Sequence, residues 1–108
     1  MAMASDLIKV RATISFLATE QGGRSGAARS GYRPNHNFGA ASDTLMQIGK
    51  MDFEQKTEVY PGETVSAIVT FLGSSELAAQ IQAGREWRVQ EGLKLVANAK
   101  ITEVLHEP

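Results

Sequence analysis

The stretch IKVRATISF, residues 8–16, decides the fold class of this chain. Apolar side chains occupy every second position from Ile8 to Phe16, with polar side chains between them. This period of two is typical of a β-strand that buries one face. A second stretch, VSAIVTFL at 65–72, alternates in the same way but also places Ile68 on its other face. We therefore expect the second strand to be central in its sheet.

Turn signals divide the remaining sequence into further short strands. The pattern predicts strands over 35–38 at a sheet edge, over 44–51, around Trp87 and Val89, and over 93–105. The tetrapeptide YPGE at 60–63 predicts a type II turn, because Pro61 sets the first central φ and Gly62 supplies a positive φ. The segment SSELAAQIQAG at 74–84 predicts one or two turns of helix. Five or six short strands with one helical turn indicate a small antiparallel barrel or sandwich.

Length and composition exclude several classes of protein. A chain of 108 residues fits one domain. The absence of cysteine excludes disulfides, a thiolate nucleophile and Cys-ligated metal sites. A net charge of -1 excludes a histone-type binder of polyanions. No apolar run approaches the length of a membrane span, and the first residues contain no secretory signal, so we expect a cytoplasmic protein without a membrane association.

The charge is unevenly distributed along the chain. Residues 21–42 contain no acidic side chain but carry Arg24, Arg29 and Arg33, together with His36. Such a basic loop can meet phosphate or an acidic partner. Three arginines make a small footprint for binding phosphate, so on charge alone we favour a solvated Gly-rich loop that binds nothing.

Catalytic and metal-binding patterns are not evident. The two histidines, His36 and His106, have no metal-ligand spacing, and the carboxylates are scattered singly. The GGRSG stretch lacks the Lys-Ser/Thr of a phosphate-binding loop. We expect no enzyme activity, no metal and no cofactor. Trp87 is expected in the core, and Tyr32 is expected to plug a barrel end rather than to stack on a partner.

Three motifs carry a resemblance to a known family. Gly22-Gly23-Arg24 is followed at a fixed spacing by Gly31-Tyr32-Arg33-Pro34, then by YPGETVSAIVTF at 60–71 and GREWRVQEGLKLVANAKITEVL at 84–105. Together they resemble the C-terminal, third domain of translation elongation factor Tu. The resemblance covers about 8–105 and implies an all-β, six-stranded antiparallel β-barrel with one short helical turn near 75–83. It leaves 1–7 as a flexible N-terminus and 106–108 as a tail.

The same resemblance implies candidate site residues. In that family the third domain contacts the T-stem of aminoacyl-tRNA, packs on the GTPase domain and touches the nucleotide exchange factor. The tRNA-facing positions and the added basic residue of the loop give the candidate nucleic-acid-binding set Arg24, Ser25, Arg29, Asn35, Glu91 and Gly92. The structural motif comprises Gly22, Gly23, Gly31, Tyr32, Arg33, Pro34, Pro61 and Gly62.

Departures from the family pattern leave two functions open. The loop aromatics of the family are replaced here by Ala28 and Arg29, and the second glycine of the last turn is Leu93. The chain corresponds to one domain without the GTPase domain, so we expect no GTP binding. We favour a non-catalytic protein-interaction module, regulatory or decoy, related to translation. The alternative is tRNA or RNA binding through the basic loop at 21–36.

The role of Arg33 separates these two interpretations. We expect Arg33 to fold back onto a carboxylate such as Glu58 or Glu63, which would leave only Arg24 and Arg29 for binding. We expect both of those side chains to lie in an exposed loop, so that replacing them with Ala removes RNA affinity and leaves the fold intact.

Overall fold

A computed structural model describes residues 7–106 of the chain. The described residues form eight strands, one 3₁₀ turn at Thr19–Gln21 and one α-helix, α1, at Ser75–Ala78. The strands are β1 at Leu7–Phe16, β2 at Ala28–Arg29, β3 at Asn35–Asn37, β4 at Gln47–Phe53, β5 at Glu58–Val59, β6 at Thr64–Leu72, β7 at Glu86–Glu91 and β8 at Lys94–His106.

Six of the strands close into an antiparallel β-barrel in the order β1-β6-β4-β3-β7-β8, with β8 returning to β1. The predicted six-stranded antiparallel barrel with one short helix is confirmed at this level. The prediction that the strand after Pro34 lies at a sheet edge is wrong, because Asn35 pairs with both Ile48 and Gln90. A closed barrel has no edge for that strand to occupy. The two-residue strands β2 and β5 form a separate small sheet that the sequence did not predict.

Two of the tight turns depend on glycine. Gly62 has a φ of 89°, and the Glu63 N–H donates to the carbonyl of Tyr60 at 3.0 Å. This confirms the predicted type II turn. Gly92 has a φ of 62° between the paired residues Glu91 and Lys94, and no non-glycine residue of 7–106 has a positive φ. This pattern matches a type II′ hairpin, which places glycine at the first central position.

The helix is shorter than the segment that predicted it. Ser74 caps its N-terminus by accepting a hydrogen bond from the backbone N–H of Leu77 at 3.1 Å. Leu77 and Ile81 are both buried, four residues apart, so this short segment covers part of the core. The segment ends at Gly84, which has a φ of 90°.

Several predicted boundaries are wrong. The strand expected over 44–51 runs instead from Gln47 to Phe53, because Gly49, Met51 and Phe53 are the residues that alternate into the barrel. Leu7, assigned to the flexible N-terminus, starts β1, and His106, assigned to the tail, ends β8. The rest of both predicted segments, 1–6 and 107–108, lies outside the described residues.

The barrel interior combines small and large side chains. The inward positions of β1, β6 and β8 include alanines at 12, 67, 97 and 99, each 0–2% exposed. Two large side chains, Phe71 on β6 and Trp87 on β7, are also buried and are in ring-to-ring contact, with centroids 5.8 Å apart. Trp87 is therefore in the core, as predicted. This alternation of size fills the narrow space inside a six-stranded barrel.

His36 lies inside this aromatic core and not in the basic loop where the sequence analysis placed it. Its side chain is 0% exposed. The ring Nδ1 accepts a hydrogen bond from the indole N–H of Trp87 at 3.0 Å, and Nε2 lies 3.2 Å from the carbonyl of Gly49, to which it donates. A Cβ at Gly49 would lie 2.9 Å from that Nε2, so only glycine leaves room for the imidazole. Burial lowers the pKa of His36 to about 4.

This burial predicts a pH dependence of stability. The folded protein holds His36 neutral, whereas the unfolded chain protonates it near its ordinary pKa of about 6.5. The free energy of unfolding therefore does not depend on the titration of His36 above about pH 6.5. It decreases as the pH falls from there towards 4, by up to about 3 kcal/mol. Urea denaturation followed by Trp87 fluorescence measures this decrease.

His36→Gln is the control, since an amide can keep one hydrogen bond but does not titrate. We expect this variant to be less stable at neutral pH and nearly pH-independent between about 6.5 and 4.5. Hydrogen bonds from Arg11 and from the Tyr60 N–H hold the pKa of the Glu54 and Glu63 carboxyls below the ordinary value, so the stability that these two groups contribute is lost mainly below this window. An unchanged pH dependence in His36→Gln would assign the effect to other groups.

Candidate interaction surfaces

At one end of the barrel, Arg24, Tyr32 and Glu91 form a connected polar cluster. The Arg24 guanidinium and the Tyr32 hydroxyl both donate to the same carboxylate oxygen of Glu91, a residue 67 positions from Arg24 in sequence. The guanidinium also donates to the carbonyls of Gly26 and Ala27 at 3.1 Å and lies 5.0 Å from the centroid of the Tyr32 ring. The cluster ties the Gly-rich loop to the β7–β8 turn.

Tyr32 closes this end of the barrel. Its ring packs on the buried Phe16 with centroids 6.2 Å apart, and only part of it is exposed. Burial raises the pKa of the Tyr32 phenol, and the hydrogen bond to Glu91 raises it further, so the hydroxyl remains protonated and donates. The structure thus places Tyr32 as the predicted plug.

The glycines of the motif explain how the loop reaches this position. A Cβ at Gly23 would lie 2.3 Å from the carbonyl oxygen of Leu17, so any side chain there would displace the loop from β1. Gly22 and Gly31 have φ values of 95° and 92°, which favour glycine. Pro34 is buried and precedes β3. These positions fix the path of the loop.

The candidate nucleic-acid-binding residues differ in their exposure and in their contacts. Arg24 was expected to be exposed, but its side chain is only 24% exposed and is held in the cluster described above. Arg29 is exposed and pairs with Glu58 at 3.1 Å, at the small β2–β5 sheet. Ser25 is exposed next to Arg24. Asn35 and Gly92 line one shallow groove of about 240 Å³.

Arg33 does not fold back as expected. Glu58 pairs with Arg29, and Glu63 pairs with Lys56 at 2.9 Å, so neither carboxylate holds Arg33. Arg33 is exposed on the outer wall of the barrel. Tyr32 bridges Met51 and Asn35 pairs with Ile48, so the same register puts Arg33 across from Lys50.

The registers of β1 with β6 and of β6 with β4 bring together exposed apolar residues that the sequence did not predict to be neighbours. Leu7 on β1 pairs with Leu72 on β6, and continuation of the β6–β4 register brings Ile48 beside Leu72. All three side chains point outward, with exposed fractions of 37%, 62% and 66% respectively. They form an apolar row across three adjacent strands.

A basic row runs beside the apolar one. Lys9 and Lys50 both pair with Thr70, one on each side, and Arg33 follows next to Lys50. Lys50 lies 3.5 Å from Asp52, whereas neither Lys9 nor Arg33 forms an ion pair with a carboxylate of residues 7–106. We call the two rows together the docking face: Leu7, Ile48 and Leu72 with Lys9, Arg33 and Lys50. A groove of about 320 Å³ runs between them.

Neither a metal site nor a membrane-spanning helix is found in the described part of the chain. Residues 7–106 contain no group of three or more His, Asp or Glu side chains that could hold a metal ion. No helix within the same residues has the length and apolarity needed to cross a bilayer. No family model matches the chain.

The cluster at the barrel end predicts that Arg24 stabilises the fold. Arg24→Met keeps the aliphatic stem but leaves Glu91 without its cation, so we expect a loss of about 1–2 kcal/mol in the free energy of unfolding. Arg29→Met is the matched control: its ion pair is exposed, and its loss should cost less than about 0.5 kcal/mol.

A second variant tests whether the pair itself is responsible. Combining Arg24→Met with Glu91→Gln should cost less than the sum of the two single losses, because each single change already breaks the same interaction. Urea denaturation of the four proteins provides the values. Equal losses for Arg24→Met and Arg29→Met would show that the cluster does not hold the loop.

Proposed function

We propose that this chain is a non-catalytic protein-interaction module related to translation, acting as a regulator or a decoy. The closed six-stranded antiparallel barrel is the architecture that the resemblance to the third domain of elongation factor Tu implies. The docking face is the observation that carries the proposal. Its partner is a protein surface with an apolar centre and acidic side chains along one margin.

The apolar row supplies the affinity in this proposal. Exposed aliphatic side chains are common singly, but Leu7, Leu72 and Ile48 stand side by side on adjacent strands. Burying one exposed aliphatic side chain of this size contributes up to about 1.5–3 kcal/mol. A contiguous apolar row with a polar margin is typical of protein-binding sites.

The basic row supplies orientation and selectivity. Lys9 and Arg33 lie at opposite ends of the row. An acidic partner would pair with both, while a basic partner would be repelled. Charge complementarity of this kind affects the rate of association and the choice of partner more than the final affinity.

The geometry favours this function over RNA binding by the loop at 21–36. Arg24 would have to leave Glu91 and Tyr32 in order to contact a phosphate, and Arg29 would have to leave Glu58. Sequence-independent RNA affinity depends on the number of phosphates neutralised by free cations. Of the three loop arginines, only Arg33 has no carboxylate of residues 7–106 within 4.0 Å, and it belongs to the docking face.

Isothermal titration calorimetry with purified elongation factor Tu and with its nucleotide exchange factor tests the proposal. We expect one of the two to bind the wild-type chain. Ile48→Asp combined with Leu72→Asp should weaken that binding at least tenfold, since both apolar contacts are lost. Leu93→Asp is the matched control, because Leu93 is 68% exposed but lies on the β7–β8 turn, outside the docking face.

Titration of bulk tRNA at about 50 and 200 mM salt addresses the alternative directly. We expect no binding that depends on Arg24 or Arg29. The proposal is rejected if neither protein binds, or if Leu93→Asp weakens binding as much as the double variant. It is also rejected if tRNA binds, becomes weaker with salt and is lost on Arg24→Met.

A further inference from the structure

A third groove lies on the barrel wall formed by β1, β8 and β7. It has a volume of about 640 Å³. Its floor consists of two rows of outward side chains related by strand pairing. Ser15, Asn98 and Arg88 form the first row, and Thr13, Lys100 and Glu86 form the second. None of these residues belongs to the docking face.

The floor is rich in hydrogen-bond donors that the folded chain leaves unused. Arg88 donates through Nε to the side chain of Gln90 at 3.3 Å, which leaves its two terminal nitrogens for a ligand. Within residues 7–106, Lys100 forms no ion pair, and neither Asn98 nor Thr13 has a side-chain hydrogen bond. By contrast, Arg11 and Arg24 are each paired with a carboxylate.

The wall of the groove adds charge and aromatic surface. Phe38 stacks on Trp87 with centroids 5.0 Å apart and an interplanar angle of 19°. Arg85 covers the Phe38 ring at 5.6 Å and donates to the Phe38 carbonyl and, at 3.0 Å, to the side chain of Gln80. Arg85 is therefore fixed in place, and its charge contributes to a positive potential over the groove.

One carboxylate, Glu86, stands at the margin of the groove. It lies across from Lys100 in the β7–β8 register but forms no ion pair with it within 4.0 Å. Repulsion from Glu86 displaces an anion towards the row of Ser15, Asn98 and Arg88. In that row Arg88 is positively charged and Asn98 is neutral. The most favourable position for an anion is therefore between Arg88, Asn98 and Lys100.

These groups match the chemistry of a phosphate. A phosphate presents several acceptor oxygens, which a guanidinium fork, an ammonium, an amide and a hydroxyl satisfy together. The volume lies in the range of sites for small molecules and exceeds the needs of a bare phosphate. The remaining space borders Phe38. Because Trp87 stacks on the Phe38 ring and Arg85 covers it, the contact that Phe38 offers to the ring of a ligand is through its edge.

We propose that this groove binds a phosphate ester with a ring system, as in a nucleotide. The phosphate lies between Arg88, Asn98 and Lys100, with the Ser15 hydroxyl donating to it, and the ring lies towards Phe38. The phosphate belongs either to a free nucleotide or to the backbone of an RNA chain. The proposal is independent of the docking face and of any protein partner.

Titration with AMP, followed by NMR of the ¹⁵N-labelled chain and by fluorescence of the single tryptophan, tests the proposal. We expect shifts at Arg88, Asn98 and Lys100 and a change in the emission of Trp87. Adenosine, which lacks only the phosphate, should bind at least tenfold more weakly. A hexameric oligoadenylate RNA is the second probe: tighter binding than AMP at the same residues identifies RNA as the source of the phosphate, and equal or weaker binding identifies the free nucleotide.

Two variants make the test specific. Arg88→Gln and Lys100→Gln each remove one cation and should weaken AMP binding about tenfold, as expected for the loss of a charge-assisted hydrogen bond. Lys94→Gln is the matched control, since Lys94 is exposed on the same strand as Lys100 but outside the groove. The absence of shifts with both phosphate probes at about 10 mM overturns the proposal. Equal binding of adenosine and AMP, or equal losses in Lys94→Gln and Lys100→Gln, overturns it as well.

Discussion

Pairing of β8 with β1 closes the barrel, and this closure determines both what the core holds and what the outer wall presents. Each of the six barrel strands has a neighbour on both sides, so the backbone groups that an open sheet would expose are paired. Closure also fixes which side chains point inward, because neighbouring positions on a strand alternate between the interior and the outer wall. The interior is small and is filled by alanines and by a cluster of rings around His36. Outward rows are therefore the surfaces left for binding.

The overall fold could be predicted from the sequence because its signals are local and consistent with one another. The alternation over 8–16 and 65–72 reflects a buried inner face and a solvent-facing outer one, and these stretches form most of β1 and β6. The Pro61-Gly62 turn and the Ser74 cap were predictable from backbone preferences alone. The two-residue strands at Ala28 and Val59 were not, since a pairing so short leaves no periodic pattern.

Long-range contacts explain where the prediction of the site failed. The motif match selected both Arg24 and Glu91, and these residues do meet, but they bind each other. Spacing along the chain does not show whether an arginine in a loop faces a partner or a carboxylate of its own barrel. His36 was assigned to the basic loop for a similar reason: its burial depends on the room that Gly49 leaves beside Trp87.

The docking face was missed because its rows cross strands. Ile48 and Leu72 each look like an irregularity in their own strand, where an apolar side chain occupies an outward position. Only the registers of β1 with β6 and of β6 with β4 bring Leu7, Leu72 and Ile48 side by side. The pairing of Tyr32 with Met51 likewise places Arg33 near Lys50. A surface of this kind becomes visible when the outward residues are considered strand by strand around the barrel.

Cross-saturation NMR on a complex of this chain with the partner proposed above tests whether the docking face is the contact surface. The amides that lose intensity on irradiation of the partner identify the contact surface without any substitution in this chain. We expect losses at Leu7, Ile48, Lys50 and Leu72, with intensities retained around Ser25 and Gly92. Losses centred on Ser25 and Gly92, with the docking face unchanged, would contradict it.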